Sequence, residues 1–312
     1  MFLNANNSFF IVGCQRSGTT LLRLVLDSHP EIRCFDELQS YRLLASKSSE
    51  QTIRESWVGL KIPRWTEQLD SPVQLDFGLI EKADHIYEGQ KILFLVRDYR
   101  DTIASMLKLK DGSESWLAHW AKPTLDTIAS MLKLKLKLKY GAESWLGRWA
   151  KPTLRWKVET EPGFATKWRR ELELCRASRG SLVALGALYW SYKNEALLRY
   201  SERGHPVLGV SYEQLVREPE TELRRICSFL DIDFSNELLD HSSKLHGEVF
   251  ESGRTVGNTD PRRSIDTSSV GQWREFFGDK DAALAEAIVG KLPSSIAPLL
   301  ARNLVGFGAP RR

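Results

Sequence analysis

A short apolar run, Phe9–Val12, passes straight into Gly13-Cys-Gln-Arg-Ser-Gly-Thr-Thr20, and five of the next six residues are Leu or Val. This is strand, loop, helix, with the helix expected to stop before His29-Pro30 because the residue preceding a proline resists helical geometry. A second unit of the same kind follows. Ile92–Val96 is a continuous apolar run suited to a strand buried on both faces, and Arg97-Asp98-Tyr99-Arg100-Asp101 leads into a helix expected from about Thr102. Val207–Val210 reads as a third core strand after a long helical stretch around Leu182–Tyr200. Strands alternating with helices predict an α/β fold: a P-loop-like parallel sheet flanked by helices on both faces. Glu220–Leu230 has the pattern of an amphipathic helix, and Asp281 to Leu304 is expected to be helical.

A chain of 312 residues with 42% hydrophobic and 27% charged side chains can bury a large core, so one domain over 1–312 is expected and disorder is excluded as a description of the whole. No stretch of about 18 apolar residues occurs and the first residues lack a basic, signal-like region, so no membrane span is expected. Cys14, Cys34, Cys175 and Cys227 have no metal-ligand spacing, so neither a disulfide framework nor a metal site is expected, and a reduced cytoplasmic setting is the default expectation.

One near-literal tandem repeat interrupts this pattern: residues 101–125 and 126–154 both begin DTIASMLKLK and both end in WAKPTL. The second copy carries six basic and two acidic side chains, which is the whole of the net charge of +4. The basic excess is therefore local and gives no case for a nucleic-acid partner. The second copy reads as a solvated insertion into an otherwise complete domain.

Gly13-x-x-x-x-Gly18 between a strand and a helix is the geometry of an anion cradle. Glycines let backbone N–H groups turn inward, and the helix adds its unpaired N–H groups and positive dipole end. A nucleotide-hydrolysing loop places Lys and then Ser/Thr after its second glycine. Here those positions are Thr19 and Thr20, and the cation sits inside the loop as Arg16. Anion binding is supported and a P-loop kinase disfavoured by the same eight residues.

QRSGTT followed by an apolar helix and HP resembles the 5′-phosphosulfate loop of sulfotransferases that use 3′-phosphoadenosine 5′-phosphosulfate (PAPS). LFLVRDYRDTIASM resembles that family's 3′-phosphate element, in which a strand-ending arginine and a serine eight residues later hold the phosphate; here they are Arg97 and Ser105, and Ser130 of the second copy does not keep the spacing. The similarity is closest to the tyrosylprotein sulfotransferase branch. HPEIRCFDEL stands where that branch carries its general base, which falls on Glu37, and Lys61 stands where a lysine assists the transferring group. Tyr212, in SYEQLV, matches a tyrosine near the cofactor, and NTD (258–260) with SSVGQW (268–273) matches a segment that closes over the nucleotide. The resemblance implies the sulfotransferase fold, PAPS as donor, and transfer of its sulfuryl group to a hydroxyl acceptor without a metal. It assigns donor contacts to Gln15, Arg16, Ser17, Gly18, Thr19, Thr20, Arg97, Ser105 and Tyr212, and catalytic roles to Glu37, Arg16 and Lys61. Gln39 replaces an arginine expected near the acceptor, and Gln272 a cofactor-contacting lysine.

On spacing alone, Glu37 and Lys61 read as ordinary surface charges. His29 reads as a structural helix-end residue, while His119, His241 and His246 have nothing to mark them. Trp116/Trp120 and Trp145/Trp149 share helix faces as packing residues. A non-catalytic 3′-phosphonucleotide-binding module is the alternative class, and the acceptor is open among small molecules, sugars and peptide tyrosine, as is the oligomeric state.

Overall fold

The computed structural model describes residues 7–45, 54–69, 89–108, 146, 150–179, 181–244 and 259–301. Five parallel strands form one sheet: β1 (Ser8–Gly13), β2 (Ile32–Phe35), β3 (Trp57–Lys61), β4 (Lys91–Val96) and β5 (Val207–Ser211), in the order β2-β3-β1-β4-β5. The helices are α1 (Thr19–Asp27), α2 (Glu37–Ala45), α3 (Tyr99–Lys108), α4 (Lys151–Thr160), α5 (Phe164–Lys167), α6 (Arg169–Ala177), α7 (Leu182–Glu202), α8 (Tyr212–Arg217), α9 (Pro219–Leu230), α10 (Asp279–Val289) and α11 (Leu292–Leu300). Side chains alternate across the sheet. Phe10, Val12, Phe94 and Val96 pack into one core with α3, α7 and α10, while Phe9, Ile11, Leu93 and Leu95 pack into a second with α1, α8 and α9. Burial on both faces is why β1 and β4 are unbroken apolar runs.

From β1 the chain goes to the edge strand β2, returns to β3 between β2 and β1, and then crosses to place β4 on the other side of β1. The crevice beyond the ends of β1 and β4 is thus the topological switch point, where sheets of this class bind ligands. The loop after β1 and the Arg97 turn after β4 both open there.

Several expectations need correction. β2 and β3 carry no strong signal, because β2 has only four residues with Arg33 inside it, and β3 is interrupted by Gly59. That glycine is required, since a Cβ there would lie 2.4 Å from Cys34 Sγ. α3 starts three residues early, at Tyr99, because Asp98 caps it: its Oδ1 accepts the Arg100 N–H at 2.8 Å and its C=O the Thr102 N–H at 3.0 Å. The C-terminal helical stretch is two helices, bent by 71° at a break that contains Gly290 in a left-handed conformation. Among the described residues no single helix is long and apolar enough to cross a membrane. The four cysteines are buried free thiols.

The duplicated region also differs from a solvated insertion. Most of it, including His119, Trp116, Trp120, Ser130, Trp145 and Trp149, lies outside the described residues. The end of the second copy does not: Leu146, Ala150 and Leu154 are buried in the larger core. Among the described residues the fold therefore takes Asp101–Lys108 from the first copy and Leu146, Ala150 and residues 151–154 from the second. In sequence, Leu117, Ala121 and Leu125 of the first copy stand where the second has Leu146, Ala150 and Leu154. Deleting residues 126–154 would join an equivalent end to Arg155, and we expect a folded protein with an unchanged melting temperature, checked by circular dichroism.

One cluster of buried charge ties helices to the sheet. Glu67 ion-pairs with Lys193 of α7 and, at 3.1 Å, with Lys157 of α4; Lys157 also reaches Glu161 at 2.7 Å, and Lys193 Nζ donates to Arg64 O at 2.8 Å. Burial opposes ionisation of Glu67, yet the two ammonium groups hold its pKa below the ordinary value. A depressed carboxyl stabilises the fold above its unfolded pKa of 4.5, and that contribution is lost as pH falls through the lower folded value. Glu67→Ala leaves two buried lysines facing each other, and we expect a loss of about 3–5 kcal/mol in urea unfolding at neutral pH.

Candidate active site

The loop after β1 is built on conformations that few side chains tolerate. Gly13 has φ +147°, and a Cβ there would sit 2.3 Å from the Leu95 carbonyl oxygen. Its N–H donates to Thr66 Oγ1 at 3.0 Å, and its C=O lies 2.8 Å from the same hydroxyl. Arg16 has φ 71°, a left-handed conformation that costs a non-glycine residue about 1–3 kcal/mol. Gly18, at φ 101°, caps α1, and a Cβ on it would enter the Tyr212 ring at 2.5 Å. No side chain caps α1 and its first turn has no acidic residue, so its leading N–H groups face the crevice with the dipole's positive end.

Around this loop a cavity of about 300 Å³ is lined by Arg16, Gly18, Thr19, Thr20, Arg97, Ser105 and Tyr212, all singled out in the sequence. The two motif cations meet there. Arg16 Nε donates to Ser105 Oγ at 3.1 Å, and Arg97 Nη1 donates to the Arg16 C=O at 3.2 Å. The Arg97 guanidinium lies 4.7 Å from the centre of the Tyr212 ring, and its Nη2 also donates to Ser269 O. Burial and then the neighbouring Arg97 push Arg16 down to about 10. A phosphate between them would relieve both costs.

Lys61, at the end of β3, is 3% exposed and donates from Nζ to Thr20 Oγ1 at 3.1 Å. Burial lowers its pKa, Glu37 and Asp36 pull it up, and Arg23 and Arg16 push it down. The surface reading of Lys61 is thus overturned. Glu37 opens α2, where Asp36 Oδ1 accepts the Gln39 N–H at 2.9 Å and fixes the start of the helix. Glu37 is half-buried, outside the lining of the cavity, and its Oε1 accepts the Tyr41 hydroxyl at 2.9 Å. Two loop side chains also turn away from the cavity. Gln15 Oε1 accepts the Tyr189 hydroxyl at 2.9 Å, and Ser17 is fully buried beneath the loop. His29 is structural, with Nε2 2.8 Å from Asp233 O.

The far wall comes from the C-terminal segment: Thr259, Asp260, Arg263, Ser264, Asp266 and Ser269 line the cavity. Buried Asp101 holds this segment, accepting the Gly271 N–H at 2.6 Å and the Trp273 N–H at 2.9 Å. Gln272 accepts from Lys108 Nζ at 2.6 Å. Arg263 and Asp266 form a forked ion pair that keeps the Asp266 carboxyl well below its usual range. Sequence reasoning passed over Asp101, Arg263, Asp266 and Thr66. The only signal was the adjacency of Arg262-Arg263 to the NTD motif.

A strand-end anion loop and a second cation thus meet in one cavity at the switch point, an arrangement suited to an anionic ligand. Residues 6–295 match the family model for the sulfotransferase domain. The chain is 24% identical to protein-tyrosine sulfotransferase A of Caenorhabditis elegans, over 94% of this chain and 66% of that protein. It is also 24% identical to protein-tyrosine sulfotransferase 1 of Danio rerio, over 94% of this chain and 70% of that one, so it spans about two thirds of the length of both. The sulfotransferase domain from the curacin biosynthetic pathway superposes with a TM-score of 0.51 at 13% identity, covering 90% of this chain and 96% of that one, a likeness of fold alone. The chain belongs to the sulfotransferase family, as a PAPS-dependent enzyme of sulfuryl transfer.

The Thr66 hydroxyl can be removed with little change of shape. Thr66→Val leaves the buried Gly13 N–H without its partner, and we expect about 1–3 kcal/mol lower stability in urea. Affinity for 3′-phosphoadenosine 5′-phosphate should fall in calorimetry, because the cradle loses its anchor.

Proposed function

We propose that the cavity holds PAPS with its 5′-phosphosulfate over the Gly13–Thr20 loop and its 3′-phosphate between Arg97 and Ser105, and that Glu37 is the general base. The observation that carries this reading is the junction of the two cation sites: Arg16 touches Ser105, and Arg97 touches the Arg16 backbone. ATP does not need two such sites, whereas a 3′,5′-bisphosphorylated nucleoside does.

The acceptor oxygen attacks sulfur as its proton passes to Glu37, and the bond from sulfur to the bridging 5′-phosphate oxygen breaks. Arg16, the hydroxyls of Thr19 and Thr20 and the N–H groups of α1 stabilise the charge that builds on the departing phosphate. Lys61, held at Thr20, supplies a donor to the transferring group. Arg97 and Ser105 act at a distance: binding the remote phosphate fixes the reacting end. The named relatives make a protein tyrosine hydroxyl the first acceptor to test, ahead of simple phenols, sugars and aliphatic alcohols.

Transfer from sulfur-labelled PAPS to these four acceptor classes tests the reading as a whole; donor binding with no turnover on any of them would leave only a nucleotide-binding module. Glu37→Gln is expected to lower kcat by about 10²–10⁴-fold at unchanged donor affinity. Arg97→Ala should instead raise the donor KM sharply, and an unchanged KM would remove the 3′-phosphate assignment.

A further inference from the structure

We propose that Tyr41 is a positioning residue for the base: its phenol holds Glu37 in the rotamer from which it takes the acceptor proton. This rests on the reading of Glu37 given above. Glu37 and Tyr41 lie one turn apart on α2, so they share a helix face, and the Tyr41 hydroxyl donates to Glu37 Oε1 at 2.9 Å. A carboxylate pinned through Oε1 keeps Oε2 for the proton of the acceptor. An unpinned glutamate at the first turn of a helix samples several rotamers, and each is entropically costly to freeze in the transition state.

Tyr41 is itself immobile. It is 2% exposed, with its ring centre 4.8 Å from that of Trp65, and the Arg64 guanidinium lies 5.8 Å from its ring centre. Burial, with Glu37 adding to it, raises the phenol pKa well above its ordinary value, so the hydroxyl stays a donor. Phenylalanine would fill the same core space. What the tyrosine adds is the bond to Glu37.

The partners of Tyr41 give this bond its reach. Arg64 and Trp65 belong to the 3₁₀ turn Pro63–Trp65, which begins two residues after Lys61 and is followed by Thr66, the residue that grips Gly13. Through Tyr41 the base is therefore registered to the same turn that positions Lys61 and the donor loop. Without the phenol, the bond that links Glu37 to this turn through Tyr41 is lost.

The test is Tyr41→Phe, assayed with PAPS and whichever acceptor class gives the highest turnover, alone and combined with Glu37→Gln. We expect kcat to fall about 10- to 100-fold, with the donor Kd for 3′-phosphoadenosine 5′-phosphate and the melting temperature close to wild type. In the Glu37→Gln background the same substitution should change the residual kcat little, since positioning matters only while the base is present. An unchanged kcat in Tyr41→Phe overturns the proposal. So does an equal loss in both backgrounds, or a variant that fails to fold or to bind the donor, because each makes the hydroxyl a purely structural group. A Glu37→Gln enzyme with full activity would instead remove the base itself, a result distinct from a silent Tyr41→Phe in an enzyme that needs Glu37.

Discussion

One threonine hydroxyl anchors the site. Thr66 Oγ1 lies 3.0 Å from the Gly13 nitrogen and 2.8 Å from the Gly13 oxygen, and 2.8 Å from Pro63 O in its own turn. It therefore satisfies both polar groups of the residue where β1 ends and the anion loop begins, at a point where no other side chain fits. Thr66 is held in turn by α7, whose Tyr200 hydroxyl donates to the Thr66 carbonyl at 2.5 Å and accepts the Leu69 N–H at 3.0 Å. The loop conformation is thus set by contacts more than fifty residues away in the chain, through the turn that follows β3.

The same logic of borrowed support runs through the second half of the site. Arg97 owes its orientation to the Tyr212 ring, to Ser269 O and to the Arg16 backbone, while its own carbonyl accepts the Trp190 indole N–H at 3.0 Å. Tyr212 packs over Gly18 as well, so one ring from the start of α8 braces both Arg97 and the cap of α1. Asp101 does for the C-terminal wall what Thr66 does for the loop: a buried carboxylate takes two backbone N–H groups that the segment cannot satisfy alone.

The legible parts of this fold and site were those whose physics is local. A glycine-bounded loop between a strand and a helix can be read from adjacent residues, as can an arginine at a strand end with a serine two helical turns later. β1, β4 and α7 carry long apolar signals, and the sequence reading places them with boundaries close to those observed. β5 is as short as β3 and also has a glycine inside it, but it is marked by the long helical stretch before it, which β2 and β3 lack. Thr66, Asp101 and Tyr41 were invisible for a different reason. Each acts on a partner through tertiary contact or through one specific bond, and threonine, aspartate and tyrosine occur at many places where they do nothing of the kind. The duplication shows the limit of pattern reading most clearly. Identical words in two copies suggest that one is redundant, but among the described residues the core holds the beginning of the first and the end of the second.

The missing loop lysine is resolved in space rather than in sequence. Loops of the nucleotide-hydrolysing type place their cation directly after the second glycine, where this chain has Thr19. Here two cations approach from outside that position. Arg16 reaches the cavity by taking a left-handed backbone inside the loop, and Lys61 arrives from the neighbouring strand to bond Thr20. Arg16 leans toward Ser105 and the Arg97 side, and Lys61 toward Thr20 and the Glu37 side. On the proposed reading, two cations in place of one separate binding of the leaving phosphate from assistance to the transferring group. A transferring sulfuryl group is neutral as SO3 where a transferring phosphoryl group is anionic as PO3−, so on that reading the group in flight asks less positive charge of the site than a phosphoryl group would.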